Sequence, residues 1–176
     1  MTCSTASSRV VVTVVIVMAA IVTVTVATAG TTARIAMSSM GAMTTLWLMA
    51  KHPETFAGGL VIAGQQRPED MVTLADQKVL IITGSRDGKA TPWNEKCVPV
   101  WREAGAKVTR PDTLLDPALI FPVGDQKELT AQVNGYLDEG GNITFLTFDG
   151  VDHMASARKF FYITAARDWL FRQVKG

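Results

Sequence analysis

The sequence predicts an α/β protein, a mostly parallel sheet flanked by helices. Two observations carry that prediction. From Arg34 onward, short apolar runs alternate with longer amphipathic segments, in the order strand–helix–strand–strand–helix–helix–strand–helix. Alternation of this kind implies parallel strands with helices packed on the sheet faces. The polar residues best suited to chemistry, Ser39, Asp87 and His153, each stand just past the end of an apolar run. In open α/β sheets that is the edge where sites assemble.

Composition sets the outer bounds. A chain of 176 residues, 48% hydrophobic and 19% charged, is long enough to bury a sizeable core in one domain. Its net charge of +1 offers no basic surface, so nucleic acid is not expected as a partner. Cys3 and Cys97 are too few and too far apart for a disulfide framework or a Cys-rich metal site, and they read as free thiols rather than a bridge. The two histidines, His52 and His153, exclude a His-rich metal cluster. No metal or organic cofactor is implied.

Residues 1–33 differ from the rest. Val10 to Ala29 is uncharged and mostly apolar, and a run of about 20 such residues can cross a bilayer as a helix. Preceded by Arg9 and followed by Ala27-Thr28-Ala29, it also has the parts of an export signal, with an apolar region longer than the usual ~7–15 residues. Its β-branched residues and the period-two alternation of Val22 to Val26 also fit core strands. The monotony of Val, Thr, Ala and Ser is also what a shifted reading frame would give. The segment is therefore expected to be a leader, a membrane anchor or extra strands, with localisation leaning towards export or tethering.

The domain proper is expected over 34–176. Arg34 to Ser38 reads as a short strand, and Ser39-Met40-Gly41 as a tight turn of small residues. An amphipathic helix then runs to Lys51, where His52-Pro53 stops it. His52 reads as a helix-end residue at the negative end of the dipole. Phe56 to Gly64 is the next strand, and Gln65 to Gln77 a polar loop. Lys78 to Gly84 is a run of β-formers ending in glycine, as a buried strand would be. It delivers the Ser85–Trp93 loop with Asp87. Asn94 to Ala104 reads as a helix stopped by Gly105, and Ala106 to Gly124 as a long irregular connection. Asp125 to Asp138 is an amphipathic helix, Asn142 to Phe148 an alternating strand, and Ala155 to Lys175 a single closing helix.

Serine is a weak nucleophile at neutral pH and needs a base, for which histidine is suited because it titrates near neutrality. The imidazole needs a carboxylate to fix its tautomer. Ser39, Asp87 and His153 supply one of each, in the chain order Ser…Asp…His. Strand–serine–turn–helix is the architecture that lifts a serine hydroxyl clear of the backbone, and the Met40 N–H at the helix start is placed to face a developing oxyanion. The motif departs from G-x-S-x-G in having Met37 two residues before the serine. Asp149, Asp152, Asp116 and Asp125 are spare carboxylates. Asp152 adjoins His153, and neighbours on an extended chain point opposite ways.

Arg34 to Gly176 resembles the C-terminal half of an α/β-hydrolase of the esterase, dienelactone-hydrolase and prolyl-oligopeptidase-like group. The resemblance rests on Ser38-Ser39-Met40-Gly41, Lys51 to Gly58, Gly84 to Asp87 and Asp149 to His153. It implies a shortened three-layer sandwich, with Ser39 as nucleophile, Asp87 as acid, His153 as base and Met40 as one oxyanion donor. The implied activity is hydrolysis of a small carboxylic ester through an acyl-enzyme on Ser39. The alternatives are a prolyl-oligopeptidase-type peptidase and a silent hydrolase-like binding domain. Such hydrolases usually carry four or so further strands before the elbow, one followed by a His-Gly-Gly-type turn with a second oxyanion donor. No such turn precedes Ser39 here, and losing one donor costs about 10²–10³ in rate. The resemblance thus leaves a sheet edge to be covered by the N-terminal strands, by a partner or by a second copy. Membrane association through Val10–Ala29 is the other expected contact.

Overall fold

The computed structural model describes residues 11–17, 21–27 and 33–174. Among the described residues, seven strands form one sheet: β1 (Val11–Val17), β2 (Ile21–Ala27), β3 (Ala33–Ser38), β4 (Phe56–Ile62), β5 (Val79–Gly84), β6 (Val108–Thr109) and β7 (Ile143–Phe148). Their spatial order is β1-β2-β3-β4-β5-β7-β6. The last five run parallel, whereas β1 and β2 join antiparallel, with Thr23 opposite Ala36 and Thr25 opposite Arg34. The helices are α1 (Ser39–Lys51), α2 (Ala90–Glu103), α3 (Lys127–Asp138), α4 (His153–Lys159) and α5 (Thr164–Arg172).

The parallel strands β4, β5 and β7 are buried along their whole length, as expected where helices cover both sheet faces. Successive side chains then feed opposite cores. Leu60, Ile62, Leu80, Ile82, Leu146 and Phe148 pack with Leu129 and Val133 of α3 and Ala166 and Trp169 of α5. Val61, Val79, Ile81 and Phe145 point the other way, onto Leu46 and Met49 of α1 and Trp101 of α2. The result is three layers, α1 and α2 on one face and α3 and α5 on the other.

Several boundaries differ from the sequence reading. Helix α2 starts at Ala90, four residues before the Asn94 expected; Pro92 falls in its first turn, where an N–H has no helical partner to lose. The connection after Ala106 contains β6, two residues long and paired with Ile143 and Thr144, too short for a hydrophobic period to mark it. The closing segment is not one helix. It breaks at a 3-10 turn over Phe160–Tyr162, and Ile163 is extended. Phe160 and Ile163 are both fully buried there, so the break drives two large side chains into the core that an unbroken helix would spread around its surface.

Of the N-terminal segment, residues 11–17 and 21–27 are strands. The other residues of Val10–Ala29, with the proposed Ala27-Thr28-Ala29 processing site, and Cys3 fall wholly or partly outside the described residues. Among the described residues, no helix is long and apolar enough to cross a membrane.

Candidate functional site

Strand β3 ends at Ser38 and α1 begins at once, with no connecting loop. Ser39 sits in that joint with φ 52, a left-handed conformation that costs a non-glycine residue on the order of 1–3 kcal/mol and clusters at functional sites. Gly41 makes the tight turn compatible with Met37: a Cβ at residue 41 would lie 2.9 Å from the Met37 sulfur. The long side chain that breaks the expected glycine pattern is accommodated by the glycine that follows the serine. The cap residue of α1, Ser38, makes no side-chain capping bond, and the first turn holds no acidic residue. The positive end of the helix, Met40 N–H included, is therefore not neutralised by its own sequence.

The turn after β5 presents Asp87, which is 2% exposed. Its Oδ1 accepts from the backbone N–H groups of Lys89 at 3.0 Å and Ala90 at 2.8 Å. Its Oδ2 lies 2.7 Å from His153 Nδ1. His153 is the first residue of α4, a helix capped by Asp152, whose carboxylate accepts from Ala155 N–H at 2.8 Å. The far side of the ring reaches Ser39, with Nε2 to Oγ 2.8 Å. The structure thus brings together Ser39, His153 and Asp87, although 114 and 66 residues separate the bonded pairs. A carboxylate on Nδ1 fixes that nitrogen as the donor and leaves Nε2 free to accept the serine proton.

The two loops that carry His153 and Asp87 are tied to each other. Ser85 N–H donates to Phe148 C=O at 2.8 Å, and Arg86 N–H to Val151 C=O at 3.0 Å. The Ser85 hydroxyl accepts from Gly150 N–H at 2.8 Å and donates to Asp149 Oδ1 at 3.3 Å. The spare carboxylates thereby acquire local duties: Asp149 on Ser85, Asp152 capping α4, and Asp116 accepting from Ala118 N–H at 2.8 Å. His52 closes the C-terminal end of α1, its N–H donating to Leu48 C=O at 2.8 Å.

Ser39, His153 and Asp87 open onto a cleft of about 400 Å³ whose walls also include Met40, Met43, Gln65 and Lys89. The cleft has an apolar side, from the two methionines, and a polar side. Cys97 is a buried free thiol elsewhere in the fold; burial and the nearby Glu69 charge push it up to about 12, which keeps it a thiol rather than a nucleophilic thiolate. Among the described residues, no group of three or more His, Cys, Asp or Glu could hold a metal ion. The sequence reading did not single out Thr91, Asn94 or Gln65, none of which matches a motif, and it noted Ser85 only as part of Gly84–Asp87.

No protein-family model matches the chain, and no curated protein does. Solved structures do. The chain is similar to the feruloyl esterase module from Clostridium thermocellum, solved in complex with sinapinate, at 16% identity over 81% of this chain and 47% of that one, with a TM-score of 0.50. It is similar to a thermostable esterase at 16% identity over 81% of this chain and 31% of that one, with a TM-score of 0.53. The fold is that of the α/β-hydrolases. The chain spans about half the length of the first of these structures and about a third of the second.

Proposed function

We propose that this chain is a serine hydrolase that cleaves a small carboxylic ester through an acyl-enzyme on Ser39. The observation that carries the reading is the continuous relay from a strained serine through His153 to a buried Asp87, at 2.8 and 2.7 Å. In the proposed reaction the Ser39 hydroxyl attacks the ester carbonyl as its proton passes to His153 Nε2. Asp87, held by two backbone donors, stabilises the imidazolium. The tetrahedral oxyanion faces the Met40 N–H at the uncapped end of α1. His153 then gives the proton to the leaving alkoxide, and the alcohol departs. Water, deprotonated by the same imidazole, attacks the acyl-enzyme and releases the acid. The esterase character of the structural neighbours supports ester over peptide hydrolysis, and a prolyl-oligopeptidase-type peptidase is the nearer alternative.

The second reading, a hydrolase-like domain that binds a ligand without turning it over, is motivated by the single oxyanion donor, the Met40 N–H, that the sequence offers. Two measurements separate them. Ser39→Ala is expected to reduce turnover of p-nitrophenyl acetate by about a thousandfold or more, as loss of the nucleophile does in serine hydrolases; unchanged turnover removes the acyl-enzyme. A fluorophosphonate probe is expected to label Ser39 alone, and absence of labelling on folded protein favours the silent domain.

A further inference from the structure

Asn94 is a polar residue where the fold calls for an apolar one. It lies in the second turn of α2, 1% exposed, and asparagine is neither a good helix former nor a usual core residue. Its side-chain amide spans two elements. Nδ2 lies 2.8 Å from the C=O of Gly64, just past the end of β4, and 2.7 Å from the C=O of Ala90 in the first turn of its own helix. Each carbonyl belongs to a different half of the relay. The Ala90 N–H donates to Asp87 Oδ1, so that carbonyl is one peptide from the carboxylate's support. Gly64 rests directly on the first turn of α1: a Cβ there would stand 2.4 Å from Ala42 Cβ and 3.1 Å from Met43 N. The segment is further pinned by Gln66, whose Nε2 donates to Met43 C=O at 3.0 Å, and it passes through Ala63 at φ 50.

From this geometry we infer that Asn94 is a positioning residue, which couples the turn holding Asp87 to the helix start that carries Ser39 and so sets the Ser39–His153 distance. The inference rests on the proposed hydrolase reading for its kinetic consequence, but not for its structural one. The relay loops are well tied between β5 and β7; the Asn94 amide is the hydrogen bond that links the Asp87 turn, across α2, to the backbone under α1. It adds to the β3–β4–β5 ladder, which ends in Ser38 paired with Ile62 and Ala63 N–H donating to Ile82 C=O at 2.9 Å, a link that reaches past the strand ends to the turn itself. A displacement of about 1 Å at a reacting group costs about 10²-fold in rate.

The test compares Asn94→Leu, of the same branched shape but without the amide, with Val98→Ala, a buried change one turn along the same helix that leaves the link intact. Two readouts are taken on folded protein: kcat and KM for p-nitrophenyl acetate, and the low-field proton resonance of the His153 Nδ1–H bonded to Asp87. Asn94→Leu is expected to lower kcat by about 10–100-fold with KM little changed, and to broaden or shift the resonance; Val98→Ala is expected to leave both near wild type at a comparable loss of stability. Equal behaviour of the two variants overturns the inference, since the loss is then one of stability alone. If wild-type protein turns over no ester, the hydrolase reading fails, and the resonance alone decides: unchanged in Asn94→Leu, it overturns the positioning role; altered there and not in Val98→Ala, it supports it.

Discussion

At Gly84 a single methyl group has nowhere to go. A Cβ there would lie 2.1 Å from the carbonyl oxygen of Val151 and 2.6 Å from its carbon, and both are backbone, unable to rotate aside. Relief requires the β5 and β7 exits to part, which separates the Asp87 turn from the His153 turn. Gly84→Ala is therefore expected to destabilise the fold by about 3 kcal/mol or more, and to depress ester turnover of the protein that remains folded. Urea denaturation with parallel kinetics checks this; a near-wild-type midpoint would show that the loops yield easily. Gly84 was legible in the sequence as the end of an apolar run and the start of the Gly84–Asp87 motif, but not as a contact with Val151. Ser39, Asp87 and His153 were legible as candidates because each follows such a run, and parallel strands deliver their ends to one rim. Asn94, Ser85 and Thr91 were not. Their importance lies in hydrogen bonds between elements rather than in any pattern along the chain: Asn94 Nδ2 lies 2.8 Å from Gly64 C=O, Ser85 Oγ accepts from Gly150 N–H at 2.8 Å, and Thr91 Oγ1 lies 2.7 Å from Gly84 C=O.

Among the elements, α4 matters beyond its length of seven residues. So short a helix has little intrinsic stability, yet it begins with the imidazole. Its N-terminus is secured by Asp152, both through the carboxylate and through a C=O that accepts from the Ser156 backbone and hydroxyl. Asp152→Ala is expected to cost about 1 kcal/mol. It is also expected to lower kcat more than that loss explains, because fraying starts at His153 itself. Matched measurements of unfolding free energy and kcat test this, and a variant with full activity would place the anchoring of His153 elsewhere. Sequence adjacency made Asp152 a poor candidate for orienting His153; in the structure its carboxylate caps α4, and it is Asp87 Oδ2 that lies 2.7 Å from His153 Nδ1. The long helices were readable because their apolar spacing persists over several turns. The α4–α5 break was not, since Phe160 to Ile163 satisfies a helical pattern and only the depth of the core pocket they fill favours the turn.

For the molecule as a whole, the sheet makes the two cores one cooperative unit. Leu60 and Val61, or Ile81 and Ile82, are adjacent on the chain but feed opposite faces, so neither helical layer can leave without unsealing strands that serve the other. Trp101 sits in one core and Trp169 in the other, and fluorine-labelled tryptophan gives each its own resonance. Both native signals are expected to disappear at the same denaturant concentration. Two separate midpoints would show that the layers unfold independently. The alternation that made this α/β architecture readable is the same alternation that fuses its halves.

The uneven lacing of the site has a kinetic corollary. His153 and Asp87 ride on neighbouring strand exits stitched by several backbone bonds, whereas the serine approaches from two strands away. On the proposed hydrolase reading, an opening of the site would part the Ser39 hydroxyl from a His153–Asp87 pair that stays bonded. A dormant state would then be an idle hydroxyl beside an intact imidazole–carboxylate pair.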